Sequence, residues 1–257
     1  MTSESGRRPV DTGRARSFGP AARAYDAHRP GYPDAAVDLA LAGLTGSRVL
    51  DLGAGTGKLT ASLVARGLDV VAVEPDPDML AVLRERIPGA DARQAPAEAI
   101  PLADASVDAV VVGQALHWFD LDRATPEIAR VLRPGGVLAC LWNGRDGDVG
   151  WVARVDEIRT GLQAPADNPA GGGEDPDLPD EPWFIGAATE RVTWSRPTTT
   201  DAFLDDQRTH SWALTSAPAD REAVLDRVRE FLDSCPQTAS GTFDLPMRTI
   251  VWRAVRA

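Results

Sequence analysis

The residues best placed to do chemistry are Val49-Leu50-Asp51-Leu52-Gly53-Ala54-Gly55-Thr56-Gly57, together with Glu74. The first run reads as a buried strand that stops at a glycine turn, and Lys58 to Arg66 reads as the helix that follows. Glycine lets a backbone pass through positive φ and approach a ligand closely, so glycines at alternate positions mark a place where a ligand sits on the main chain. A second apolar run, Leu68-Asp69-Val70-Val71-Ala72-Val73, reads as a strand ending on Glu74. In an open α/β sheet both strand ends face one crevice, which puts Glu74 where its carboxylate accepts hydrogen bonds from two ribose hydroxyls. The ligand is therefore expected to be a nucleoside.

Two familiar glycine patterns fit poorly. The phosphate-loop pattern fails because Leu52 stands where its first glycine belongs and Leu59 replaces the hydroxyl that would hold magnesium. The dinucleotide fingerprint matches at Gly53 and Gly55, but Lys58 occupies the third glycine position. Asp51 to Gly57 instead resembles the first motif of the class I S-adenosylmethionine-dependent methyltransferases, and further stretches follow in the family's order. Pro75 to Leu80 resembles the acidic helix start after the ribose-binding acid. Ala97-Glu98-Ala99-Ile100-Pro101-Leu102 resembles the stretch beside the adenine, and Ser106 to Val112 the fourth strand. Gln114-Ala115-Leu116-His117-Trp118-Phe119-Asp120 resembles the loop after that strand, and Ile128 to Gly136 the helix and turn before the fifth. The resemblance is specific from about residue 48 to 143 and faint beyond 145. Phe18 to Pro33 is similar to the N-terminal segment of a small-molecule subgroup that includes trans-aconitate methyltransferase-like (type 11) enzymes.

The resemblance implies a Rossmann-like, doubly wound, seven-stranded and mostly parallel sheet with an antiparallel final strand, preceded by an N-terminal helical lid. It implies S-adenosylmethionine as cofactor and S-adenosylhomocysteine as product. The implied cofactor contacts are Tyr25, Arg29, Asp51, Gly53, Ala54, Gly55, Gly57, Glu74, Pro75, Met79, Ala97, Glu98 and Gln114. Many relatives carry an aspartate where this chain has Pro96, so adenine recognition is expected to rest on the backbone around Ala97. Asp51 either meets the cofactor's ammonium or orients the loop. Tyr25 and Arg29, one helical turn apart, would reach one spot, and the guanidinium suits the cofactor's carboxylate.

His117 is the candidate general base or substrate-orienting group, since imidazole titrates near neutral pH. His28 and His210 rank below it, and no spacing of His, Cys, Asp or Glu resembles a metal site. Trp118, Trp183 and Trp212 are the remaining substrate-pocket candidates. The acceptor would be a small molecule methylated on a carboxylate, hydroxyl or amine, in a biosynthetic setting. A methyltransferase-fold protein that steers a rearrangement, or a regulator that only binds the cofactor, are the rival readings.

Organisation and composition agree with such an enzyme. The chain has 257 residues and is 43% hydrophobic, enough for one α/β domain with a cap. Residues 1–15 read as disordered, 16–47 as the lid and core helices, and 48–257 as the catalytic domain. The Gly-, Pro- and Asp-rich stretch 164–182 reads as a flexible loop. A net charge of −11 disfavours polynucleotide partners, which draw their affinity from basic contacts. Bilayer-length apolar runs are missing and the two cysteines are too few for a disulfide framework, so a reducing cytoplasm and a monomer or homodimer are expected.

Overall fold

A computed structural model describes residues 30–161 and 183–257. Tyr25, Arg29 and the 164–182 loop lie outside the described residues. The described elements are α1 (Asp34–Ala40), β1 (Arg48–Leu52), α2 (Lys58–Val64), β2 (Asp69–Glu74), α3 (Pro77–Arg86), β3 (Asp91–Gln94), β4 (Val107–Gly113), a 3₁₀ turn (Leu116–Trp118), α4 (Leu121–Val131), β5 (Leu132–Arg145), α5 (Gly150–Thr160), β6 (Phe184–Thr199), α6 (Thr200–Arg208), α7 (Ser211–Thr215), α8 (Pro218–Ser234) and β7 (Thr242–Arg256).

Seven strands form one sheet in the order β3-β2-β1-β4-β5-β7-β6. Strands β1 to β5 pair in parallel, and β7 runs antiparallel to both β5 and β6. Parallel strands covered by helices on both faces must be apolar on both, which is why β2 and β4 read as near-continuous valine and alanine runs. Val110 and Val112 face one core with Leu138, Cys140 and Ile128. Ala109 and Val111 face the other, against Val37 of α1 and Leu63 of α2. Arg66, just past α2, pairs with Asp34 at 2.8 Å and Asp38 at 2.9 Å, which ties α2 to α1.

The chain order reverses beside β1, whose neighbours are β2 and β4. A crevice opens outside the carboxyl ends of strands at such a switch point. Both flanking loops come close there: a Cβ on Gly53, where φ is +72°, would lie 2.5 Å from Cβ of Ala115.

Beyond the sheet, β6 and β7 continue as a hairpin past the end of β5, from Ser195↔Pro246 to Thr199↔Thr242. That hairpin carries α6, α7 and α8, and with α5 they enclose a separate core of Phe203, Leu204, Trp212, Leu225, Leu232, Phe243 and Leu245. Two tryptophan expectations fail here. Trp212 is 1% exposed within this core and does not reach the crevice. Trp183 precedes β6, where its carbonyl accepts from the amide of Ala257 beyond the end of β7; this is the opposite end of the sheet from the switch-point crevice, so Trp183 cannot line it.

If Trp212 is a core residue, Trp212→Ala should destabilise the chain by about 3–5 kcal/mol. Denaturant unfolding measures this, and an unchanged midpoint would contradict the packing described.

Candidate functional site

One cavity of about 540 Å³ occupies the switch-point crevice and extends toward the hairpin cap. The loop after β1 forms its floor. Gly53, Gly55 and Gly57 all have positive φ, but they do different work. A Cβ on Gly57 would meet Leu83 Cγ at 2.8 Å, so that glycine lets α2 start close against α3 and does not itself line the cavity. At Gly55 nothing lies within 4 Å of the Cβ position, so open space remains over the backbone.

Asp51 is 1% exposed at the end of β1. Its Oδ2 accepts from the Thr60 hydroxyl at 2.6 Å, which couples β1 to α2 beneath the loop. Its Oδ1 is buried and has no hydrogen-bond partner among the described residues. Burial raises the Asp51 carboxyl to about 6, against the opposing bonds from Thr60. Glu74 closes β2 at 7% exposure. Its two oxygens accept from the amides of Gly55 and Asp76, each at 2.9 Å, and burial lifts it to about 7. Each carboxylate oxygen keeps a second lone pair for a ligand donor. Asp76 caps α3 by accepting from the amides of Asp78 and Met79, which sets Pro75 and Met79 on the cavity wall.

Ala54 and Ala97 line the cavity, and so does Glu98, whose carboxylate accepts from the amide of Asp120 at 2.8 Å and pins the loop leading into α4. Gln114 follows β4 with φ +58°, a strained conformation for a non-glycine residue of the sort that clusters at functional sites. Its side chain donates to the Asn143 carbonyl at 2.7 Å. Asn143 in turn donates to the carbonyl of Gly31 at 2.9 Å, and Pro30 and Tyr32 line the cavity, so the N-terminal segment crosses its edge. His117 is exposed to the cavity and packs on Trp118, with ring centroids 4.8 Å apart. Surrounding walls partly desolvate the imidazole and lower its pKa, and among the described residues none hydrogen-bonds to the ring.

The structure thus brings together Asp51, Gly53, Ala54, Gly55, Glu74, Pro75, Met79, Ala97, Glu98, Gln114, His117 and Trp118. Sequence reasoning missed the cap-side wall, where Arg145, Arg159, Arg196 and Arg248 line the same cavity beside His210, which it ranked below His117. These residues come from β5, α5, β6, the segment after α6, and β7, so no local spacing announces them. Among the described residues, no group of three or more His, Cys, Asp or Glu could hold a metal ion, and no helix is long and apolar enough to cross a membrane.

The chain is 47% identical over 247 residues to "Uncharacterized methyltransferase Rv3342" of Mycobacterium tuberculosis, an alignment covering 94% of this chain and 96% of the relative. It belongs to the class I S-adenosylmethionine-dependent methyltransferases. A family profile described as "Methyltransferase domain", of the type 11 group, matches residues 50–140 of this methyltransferase. A solved structure assigned as a type II methyltransferase from Anaeromyxobacter dehalogenans superposes with a TM-score of 0.66 at 30% identity, covering 89% of this methyltransferase and 96% of that chain. Part of the methyltransferase, 99 residues and 36% of each chain, is 48% identical to a malonyl-[acyl-carrier protein] O-methyltransferase of Methylococcus capsulatus.

The raised carboxyls of Asp51 and Glu74 have a stability consequence. The folded methyltransferase holds these protons up to about 6 and 7, whereas the unfolded chain releases them at ordinary carboxylate values. Stability from these two groups is therefore full below the unfolded values and is lost as pH rises through that window. Relative to wild type, the Asp51→Asn/Glu74→Gln variant should gain stability as pH rises from about 4 to about 7, with the difference levelling off above that. Unfolding midpoints across the pH range measure the difference, and a pH-independent gap would contradict the account.

Proposed function

We propose that the chain methylates a carboxylate of a small molecule, with S-adenosylmethionine held over the floor of the cavity and the acceptor entering from the cap side. The observation that carries this is the fit of the floor to a cationic nucleoside: the orphaned Oδ1 of Asp51, the open space over Gly55 and the carboxylate of Glu74 all face one crevice. An unsatisfied buried acceptor costs about 1–3 kcal/mol, which an N–H donor of a ligand relieves. Asp51 would accept from the cofactor's ammonium, and Glu74 would accept from both ribose hydroxyls. Met79 and Ala97 would flank the adenine, with Pro96 offering no side-chain donor or acceptor. Arg29, with Tyr25, would pair with the cofactor's carboxylate, in keeping with the path of residues 30–32 across the cavity edge.

The cofactor supplies a methyl group made electrophilic by its sulfonium. With the cofactor held by Asp51 and Glu74, an acceptor lone pair would take that methyl while the carbon–sulfur pair would return to sulfur. The protein's part is to hold the nucleophile about 3–3.5 Å away and to keep water out. A carboxylate has no proton to lose. That suits a site where His117 has no side chain among the described residues orienting its nitrogens, and the malonyl O-methylation in the name of the Methylococcus relative agrees with it. A hydroxyl or amine acceptor is the second reading, favoured by the lowered pKa that keeps His117 neutral and basic at pH 7.

Incubating the full chain with methyl-labelled cofactor and panels of carboxylic acids, alcohols and amines separates the two. The first reading predicts methyl esters, and turnover by His117→Ala within about tenfold of wild type. A loss of roughly 10² to 10⁴ in His117→Ala with a hydroxyl or amine acceptor would instead establish the base-assisted route. Labelled product from neither panel, with no S-adenosylhomocysteine formed, would contradict methyl transfer.

A further inference from the structure

We infer that Tyr32 is a further cofactor-binding residue, whose hydroxyl donates to the carboxylate of the cofactor's amino-acid end, and that Gly113 is the positioning residue that seats it. The inference rests on the cofactor placement proposed above and adds to it one contact and the notch that makes the contact reachable.

Gly113 ends β4, and its φ is not positive, so the backbone conformation does not call for a glycine there. Space does. A Cβ at this position would lie 2.5 Å from Oη of Tyr32 and 3.0 Å from its Cζ, with Cδ2 of Leu59 at 3.2 Å. Glycine in a strand often marks a place where another group approaches the backbone closely, and here that group is the tip of the phenol.

The register of the sheet fixes what the phenol faces. Asp51 of β1 pairs with Val111 of β4. Side chains alternate along a strand, so Asp51 shares a face with Val49, and Gly113 shares one with Val111. Val49 and Val111 pack in the same core, which makes these one face of the sheet. The Tyr32 hydroxyl therefore stands on the face that carries the Asp51 carboxylate, one side-chain step further toward the crevice on the adjacent strand. Tyr32, Asp51, Leu59 and Gly113 all line the cavity.

The backbone on either side of Tyr32 is anchored. Trp194 Nε1 donates to the Thr249 hydroxyl at 3.0 Å, and that hydroxyl donates to Oδ1 of Asn143 at 2.6 Å. This orients the Asn143 carboxamide so that its nitrogen donates to the Gly31 carbonyl at 2.9 Å. On the other side, the carbonyl of Pro33 accepts from the amides of Ala36 and Val37 as α1 begins. A half-buried phenol held this way loses little freedom when a ligand arrives.

An α-amino acid carries its ammonium and its carboxylate on one carbon. With the ammonium at Asp51, the carboxylate is set beside it, within reach of a donor on the same face. The phenol donates without adding charge, so it complements the guanidinium proposed for that carboxylate.

The test titrates the full chain and its Tyr32→Phe, Gly113→Ala and doubly substituted variants with two nucleosides. One is S-adenosylhomocysteine, and the other is 5′-methylthioadenosine, which lacks the amino-acid end. Each single variant should bind S-adenosylhomocysteine about tenfold more weakly and 5′-methylthioadenosine as wild type does. The double variant should be no weaker than Tyr32→Phe alone, because the added methyl acts through the hydroxyl it displaces. Tyr32→Phe leaves the ring in its notch and decides the contact by itself should Gly113→Ala fail to fold. Unchanged S-adenosylhomocysteine affinity in Tyr32→Phe, equal loss of both nucleosides, or additive losses in the double variant would overturn the inference while leaving the methyl-transfer reading in place. A wild-type chain that binds neither nucleoside would contradict that reading and the inference together.

Discussion

Two carboxylates withdrawn from water at the ends of neighbouring parallel strands set the conditions for the rest of this site. Asp51 and Glu74 end up there because β1 and β2 are buried on both faces and stop at the switch-point crevice, which places Asp51, next to last in β1, and Glu74, last in β2, on its lining. Burial opposes their charge, and the chain answers with short local hydrogen bonds: Thr60 to Asp51, and the amides of Gly55 and Asp76 to Glu74. Those bonds also shape the glycine loop. The electrostatic cost and the loop geometry are thus one arrangement, and among the described residues it leaves Oδ1 of Asp51 without a donor.

The opposite wall is built by different means. The β6–β7 hairpin outruns the parallel sheet and carries a helical cap with its own core, so the cap side of the cavity belongs to elements distant in sequence from the floor. A floor that suits a cation and a wall rich in guanidinium groups divide one cavity into two electrostatic halves.

The part of this arrangement legible in the sequence is the part governed by local rules. Strands β1, β2 and β4 announce themselves as apolar runs, and the turn after β1 by its glycines. Strand β3 escaped notice, since Asp91-Ala92-Arg93-Gln94 is a short edge strand with little to bury. Strands β5, β6 and β7 are longer than their apolar cores suggest because their outer halves pair with each other and with solvent rather than with a core. Trp183 and Trp212 misled because a tryptophan's place depends on which end of the sheet its strand begins and on the cap's own packing. The cap-side arginines come from four elements of the chain, β5, α5, β6 and β7, and only the folded topology brings them together.

The central claim is that a cofactor must meet Asp51 and Glu74 as anions. Near pH 6.5 both are partly protonated in the ligand-free chain, given carboxyls raised to about 6 and about 7. The direct measurement is calorimetric titration of S-adenosylmethionine at that pH in buffers of different ionisation enthalpy, which counts protons exchanged on binding. The account predicts a net release of up to about one proton, with affinity rising as pH increases toward neutrality. Binding with no proton release, or with uptake, would contradict it.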